Sequence, residues 1–197
     1  MSRRALTDPA LLSLYAIGAV SVGAFVAVYN VIGFRLTAAP FGLGASAAAA
    51  VFLVYPVGTV SSTVAGRLAD RFGRRAVMPF GSLITAAGLV LTLADRLPYV
   101  VAGLAVMTAG FFCVHGVASG WVPARAHLGG APAGHAASYY LVAYYAGSSI
   151  IGSLSGTAWT LGGWPAVVAL ASVFVGAGGI LALNLLRVPA LQPAVTR

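Results

Sequence analysis

Six long apolar stretches, 11–36, 46–65, 77–93, 99–122, 136–159 and 165–186, occupy most of the 197 residues of this chain. A helix that spans a bilayer needs about 20 mainly apolar residues, and a backbone in hydrocarbon must satisfy its hydrogen bonds internally. These stretches are too long and too uniformly apolar for barrel strands, which alternate with a period of two. With 60% hydrophobic residues, 7% charged residues and a mean hydropathy of +0.96, the natural solvent for most of the chain is lipid. The sequence therefore predicts an all-α membrane protein of six transmembrane helices.

Punctuation supports that division. Pro40 with Gly42 and Gly44 closes the first stretch, the charged run Gly66 to Arg75 the second, and Asp95 with Pro98 the third. Gly129, Gly130 and Pro132 follow the fourth, and Gly162, Gly163 and Pro165 the fifth. No connection is long enough to be a soluble domain. Arg3 and Arg4 resemble the charged front of a signal peptide, but the stretch behind them exceeds the roughly 7 to 15 apolar residues of one, so a retained helix is expected.

Every basic residue other than histidine is arginine, and glutamate is absent. Threading six helices puts Arg3, Arg4, Arg67, Arg71, Arg74, Arg75, Arg125, Arg187 and Arg197 on one side and only Arg35 and Arg96 on the other. The first side is then cytoplasmic, with both termini there, and the net charge of +8 is topogenic rather than a nucleic-acid footprint. A single cysteine, Cys113, within a predicted helix excludes a disulfide framework, and no spacing of histidine and carboxylate suggests a metal site or cofactor. Nor do a nucleophile, base and acid recur at a catalytic spacing, so no enzyme is expected.

The predicted helices differ in kind. Helices three and six are uniformly apolar and read as facing lipid. Helices two and five carry small residues at every fourth position, Gly58, Ser62 and Gly66 in one and Ser148, Gly152 and Gly156 in the other. Such ladders let helices approach closely in a solvent that gives no hydrophobic drive to association. They are packing seams, or the chance product of a composition rich in alanine and glycine. Helices one and four hold the unusual polar groups: Asn30 in one, and Thr108, His115 and Ser119 sharing a stripe with Phe112 in the other. Polar side chains at membrane depth usually face a bundle interior or a watered cavity. The order of cavity, seam and lipid thus occurs twice, predicting two inverted three-helix repeats, residues 1–95 and 96–197.

The string G-R-L-A-D-R-F-G-R-R, Gly66 to Arg75, matches the loop signature G-x-L-A-D-R-x-G-R-R and with it the chain resembles the major facilitator superfamily. Y-N-V-I-G-F-R-L at Tyr29, H-G-V-A-S-G-W at His115 and Y-Y-L-V-A-Y-Y-A-G-S-S at Tyr139 are similar to the carboxyl-terminal half of bacterial drug- and sugar-efflux-type members. The resemblance implies half of a twelve-helix transporter in the bacterial cytoplasmic (inner) membrane. It would move a small organic or drug-like solute by alternating access, as a homodimer or with a complementary transporter half. A non-transporting fragment or membrane scaffold is the alternative.

On that resemblance Gly66, Asp70, Arg71, Gly73, Arg74 and Arg75 form a gating connection, with Asp70 set against the start of a seam helix in the opposite half. An intrachain cap or a topology anchor are the other readings of Asp70. Candidate cavity residues are Asn30, Arg35, Thr108, His115, Ser119, Tyr144 and Tyr145. His115 is either a proton site or a hydrogen-bonding partner of a neighbouring helix. Arg35 either faces the substrate or snorkels to the interface. Tyr139 and Tyr140, near the predicted boundary, and Trp121, Trp159 and Trp164 read as belt residues. No carboxylate falls inside a predicted span, since Asp8, Asp70 and Asp95 lie at or beyond helix ends.

Overall fold

In the computed structural model, which describes residues 2–188, a single turn, α1 (Ser2–Ala5), leads into the long α2 (Pro9–Thr37). Asp8 and Pro9 start α2 by complementary means. The Asp8 carboxylate accepts the amides of Ala10 and Leu11, and proline brings no amide to be left orphaned. The chain returns through α3 (Ala45–Ala49), a 3-10 turn (Ala50–Val54) and α4 (Pro56–Phe72). Pro56 has no amide to bond back to Phe52, whose carbonyl instead takes the Tyr55 amide three residues on, so the helix tightens before it resumes.

There follow α5 (Arg74–Leu91), α6 (Leu97–Leu128) and α7 (Ala133–Asn184). The 52 residues of α7 are interrupted at Gly162 and Gly163, where φ reaches 59° at the second glycine, a conformation that side chains resist. Its arms are 133–161 and 164–184, with Pro165 in the first turn of the second arm. Among the described residues there is no strand, and four helical stretches are long and apolar enough to cross a membrane: Pro9–Thr37, Ala45–Phe72 (α3 through α4), Leu97–Leu128 and Ala133–Asn184. Arg74 and Arg75 in its first turn lower the hydropathy of α5.

The helices reach further than the apolar stretches. The second stretch, expected to yield to a loop at Gly66, continues as helix to Phe72, and α5 resumes at Arg74. L-A-D-R-F contains no breaker, so the helix carries on past the apolar run. Gly73, at φ 88°, makes the whole turn, while Gly66 sits inside α4 with open space around it. His127, beyond the fourth apolar stretch, belongs to the last turn of α6. Arg197 lies outside the described residues.

α2 packs along both arms of α7, α6 lies against α4 and α5, and the buried side chains form two apolar clusters, one toward each end. Leu11, Leu14, Met78 and Val122 belong to one cluster, and Ile32, Leu89, Leu104 and Trp164 to the other.

Candidate functional site

A column of aromatic rings joins α2, the turn before α4, α6 and the first arm of α7. Phe25 stacks on Phe111 at 4.2 Å between ring centroids, Phe111 lies 5.7 Å from the His115 ring, and His115 lies 5.0 Å from Tyr144. Tyr55 extends the column to Tyr29 at 5.0 Å. The i, i+4 spacing of Phe25 with Tyr29, Phe111 with His115, and Tyr140 with Tyr144 puts each pair on one helix face.

Polar atoms are placed within this column. His115 Nδ1 is 3.0 Å from the Tyr140 hydroxyl, and the Tyr29 hydroxyl is 2.7 Å from Thr108 Oγ1. Asn30 donates through Nδ2 to the Gly152 carbonyl at 3.2 Å, tying α2 to α7. Ser119 donates to the Gly116 carbonyl of its own helix. His115 and Tyr144 are half-buried and Tyr145, 5.6 Å from Tyr144, is exposed, so the column opens on one side of the bundle. Tyr140 corrects the belt reading: it is buried, and a side chain at Gly18 would collide with its ring. Its i+4 relation to Tyr144 is the sequence signal that could have found it.

The small-residue ladders are used in part within the chain. Gly58 receives the ring of Phe112 and Ser62 meets Gly116, which seats α4 on α6. Gly152 meets Val26 and Asn30, and Gly147 lies against the backbone of Ala19, which seats the first arm of α7 on α2. Ser148 is half-buried, whereas Gly66 and Gly156, the last rung of each ladder, are exposed with nothing packed on them.

Arg35 is not in the aromatic column. It is buried at the far end of α2, where it donates to the carbonyls of Thr92 and, at 2.9 Å, Ala94. The Trp164 ring lies 4.8 Å from the guanidinium, and the Trp164 indole donates to the Thr92 carbonyl at 3.1 Å. Trp164 is therefore a packed anchor of the second arm of α7 rather than a belt residue. The carbonyls beyond a helix end lack intrahelical donors, and the negative end of the dipole favours a cation there.

At the opposite end Arg125, in the last turn of α6, pairs with Asp8 through Nε to Oδ1 at 2.8 Å and Nη2 to Oδ2 at 2.9 Å. Burial alone would raise the Asp8 pKa, but the Arg125 hydrogen bond, the Leu11 and Ala10 amides and the Arg125 charge together hold it below its ordinary value. Asp70 is exposed beside this end, without a polar partner among the described residues. Arg74, Arg75 and Arg125 line one depression with Asp70 and Leu186, so these residues share an end. Among the described residues no cluster of histidine, cysteine and carboxylate is suited to a metal.

No family model matches the chain. It is 39% identical over 168 residues to the inner membrane transport protein YnfM of Escherichia coli (strain K12), covering 85% of this chain and 40% of that protein. It is 38% identical over 165 residues to the uncharacterized MFS-type transporter YybF of Bacillus subtilis (strain 168), covering 84% of this chain and 40% of that protein. An uncharacterized transporter of Buchnera aphidicola subsp. Baizongia pistaciae is 31% identical over 180 residues, 91% of this chain and 44% of the relative. The chain thus spans about two-fifths of the length of these curated relatives.

Proposed function

We propose that this chain, which belongs to the major facilitator superfamily, is one six-helix half of a transporter that moves a small organic or drug-like solute by alternating access. The second half is another copy of the chain or a complementary half, and the setting is a bacterial cytoplasmic membrane with both termini in the cytosol. In this reading α2, the α3–α4 unit, α5, α6 and the two arms of α7 are six crossings, grouped as inverted repeats over 1–95 and 96–197.

The observation that carries the reading is the half-open aromatic column with His115 at its centre. It lies on a bundle whose seam helices leave Gly66, Gly156 and Asp70 uncovered. An aromatic face with a few placed hydrogen-bonding groups suits a flat, largely apolar solute, and the uncovered rungs suit a second bundle closing over it. The repeat reading draws support from reciprocal pairings. α4 seats on α6 as the first arm of α7 seats on α2, and Arg35 reaches toward Asp95 before α6 as Arg125 reaches Asp8 before α2.

Reconstitution tests it. Native mass measurement in nanodiscs, followed by saturable solute flux in liposomes, should find a two-bundle assembly that transports; an inert monomer would make the chain a fragment or scaffold instead. Asp70→Asn should insert normally yet slow flux by roughly 5- to 30-fold, the loss of a carboxylate stabilising a partly buried helix start. Wild-type flux in that variant would remove Asp70 from the gating contact.

A further inference from the structure

On the flank of α4 away from Tyr55 and Gly66, α4 and α5 diverge over α6 and leave a groove of about 470 Å³. Val64, Leu68 and Phe72 form one wall, Phe80 and Ile84 the other, and Cys113 lies at the floor. The volume falls in the roughly 300 to 1,000 Å³ range of ligand sites. Ser61, a lone hydroxyl on the α4 wall, is spent on the Val57 carbonyl at 2.8 Å, so the groove offers a ligand little beyond hydrocarbon. Val64, Phe72 and Phe80 are exposed, and the groove opens between α4 and the apolar outer surface of α5, where the surroundings are lipid.

The groove runs into the arginine-rich end. Phe72 and Ala76 line both it and the depression of about 610 Å³ that contains Arg74, Arg75 and Arg125. The guanidinium of Arg71 lies 5.1 Å from the Phe72 ring at the mouth. Arg71, Arg74 and Arg75 meet only Asp70 as a charge of opposite sign on this turn, leaving the mouth positive.

We propose that this groove holds one acyl chain of an anionic phospholipid, whose phosphate headgroup sits on Arg71, Arg74 and Arg75. The occupant is a bilayer lipid because the two chemistries are contiguous and ordered as in a lipid: hydrocarbon along the span, anion at its end. A second transporter half belongs on the other flank of α4, where Gly66 and Asp70 stand exposed four residues apart. The proposal rests on the chain lying in a bilayer and is independent of whether it transports.

The test is lipid retention by the full chain purified in mild detergent, read by native mass spectrometry with phosphatidylglycerol and phosphatidylethanolamine of identical acyl chains. Wild type should retain the anionic lipid preferentially, by about fivefold for each arginine engaged. R71Q/R74Q/R75Q should erase the preference, and the corresponding lysine variant, with its charges kept, should restore it. Ala76→Trp, placed at the junction, should reduce retention of both lipids, with circular dichroism and elution volume reporting that each variant is folded. Glycerol phosphate, which has no acyl chain, should not displace the bound lipid. Equal retention of the two lipids by wild type, an undiminished preference in the glutamine variant, full displacement by glycerol phosphate, or crosslinking of Phe80 to a second copy would each overturn the assignment. None of these outcomes touches the flux assay, so the two readings fail separately.

Discussion

Each end of the bundle is closed by a buried arginine in the last turn of a long helix, and the two ends solve the problem of that charge differently. Arg125 is neutralised by a carboxylate that grips it with both oxygens, and Asp8 caps α2 at the same time. Arg35 is held mainly by backbone carbonyls beyond α5 and by an indole face, while Asp95 stays 3.8 Å away with its side chain 80% exposed. The first arrangement depends on a second ionised group. The second depends on peptide dipoles that carry no proton, and so stays positive on the side with fewer arginines. A buried arginine thus needs acceptors in number and geometry, and a counterion is only one way of supplying them.

If that contrast is right, the carboxylate end is the more vulnerable to a single change. Asp8→Ala should cost about 3 kcal/mol, some 2 from removing the carboxylate that grips Arg125 with both oxygens and about 1 from the lost helix cap. Asp8→Asn keeps a good cap, and the difference between the two variants separates the contributions. Thermal unfolding in detergent measures both; equal losses would mean that the cap counts for nothing here.

Arg35→Gln should cost about 2 kcal/mol, since a charge-assisted bond to a carbonyl and the stacking on Trp164 are both lost. The freed carbonyls sit at a bundle end, and Thr92 still receives the Trp164 indole. A loss as large as that of Asp8→Ala would break the comparison.

Acid distinguishes the ends more gently. The Asp8 pKa lies below its ordinary 3.8 in the folded chain, so its contribution is full above that value and disappears as pH falls through the lower, folded-state pKa. Wild type and Arg35→Gln should therefore share an added loss of stability below about pH 4 that Asp8→Asn lacks. Parallel pH profiles for all three would take Asp8 out of the acid response.

How far the sequence revealed this contrast depends on the kind of signal each residue carries. Apolar length and the Pro and Gly breaks delineate the helices, because desolvation of the backbone is a local demand. They missed the extension of α4 to Phe72, since a helix leaving the bilayer no longer needs apolar residues. The His115 stripe was legible from helical spacing. Its bond to Tyr140 was not, because two adjacent tyrosines near a boundary look alike until the packing against Gly18 buries one of them. Arg35 can be read from the sequence as facing the substrate or snorkelling to the interface, and neither reading names its acceptors, because they are backbone carbonyls, which every sequence has everywhere. Asp8 and Arg125 are 117 residues apart, and no local pattern announces their pairing.

Asp95→Asn is the smallest and sharpest test of the carbonyl clasp. Asp95 is the carboxylate closest to Arg35, and a counterion view of buried arginine would assign it the main role. Its exposure and its 3.8 Å separation argue otherwise, because water screens the attraction and the guanidinium already has its acceptors. Neutralising Asp95 should therefore change stability by less than about 0.5 kcal/mol, indistinguishable from an ordinary surface substitution. The same exchange at Asp8 should cost several times as much, although both remove one negative charge beside a buried arginine. If Asp95→Asn approached the cost of Asp8→Asn, Arg35 would depend on its counterion after all, and the two ends would be one device used twice.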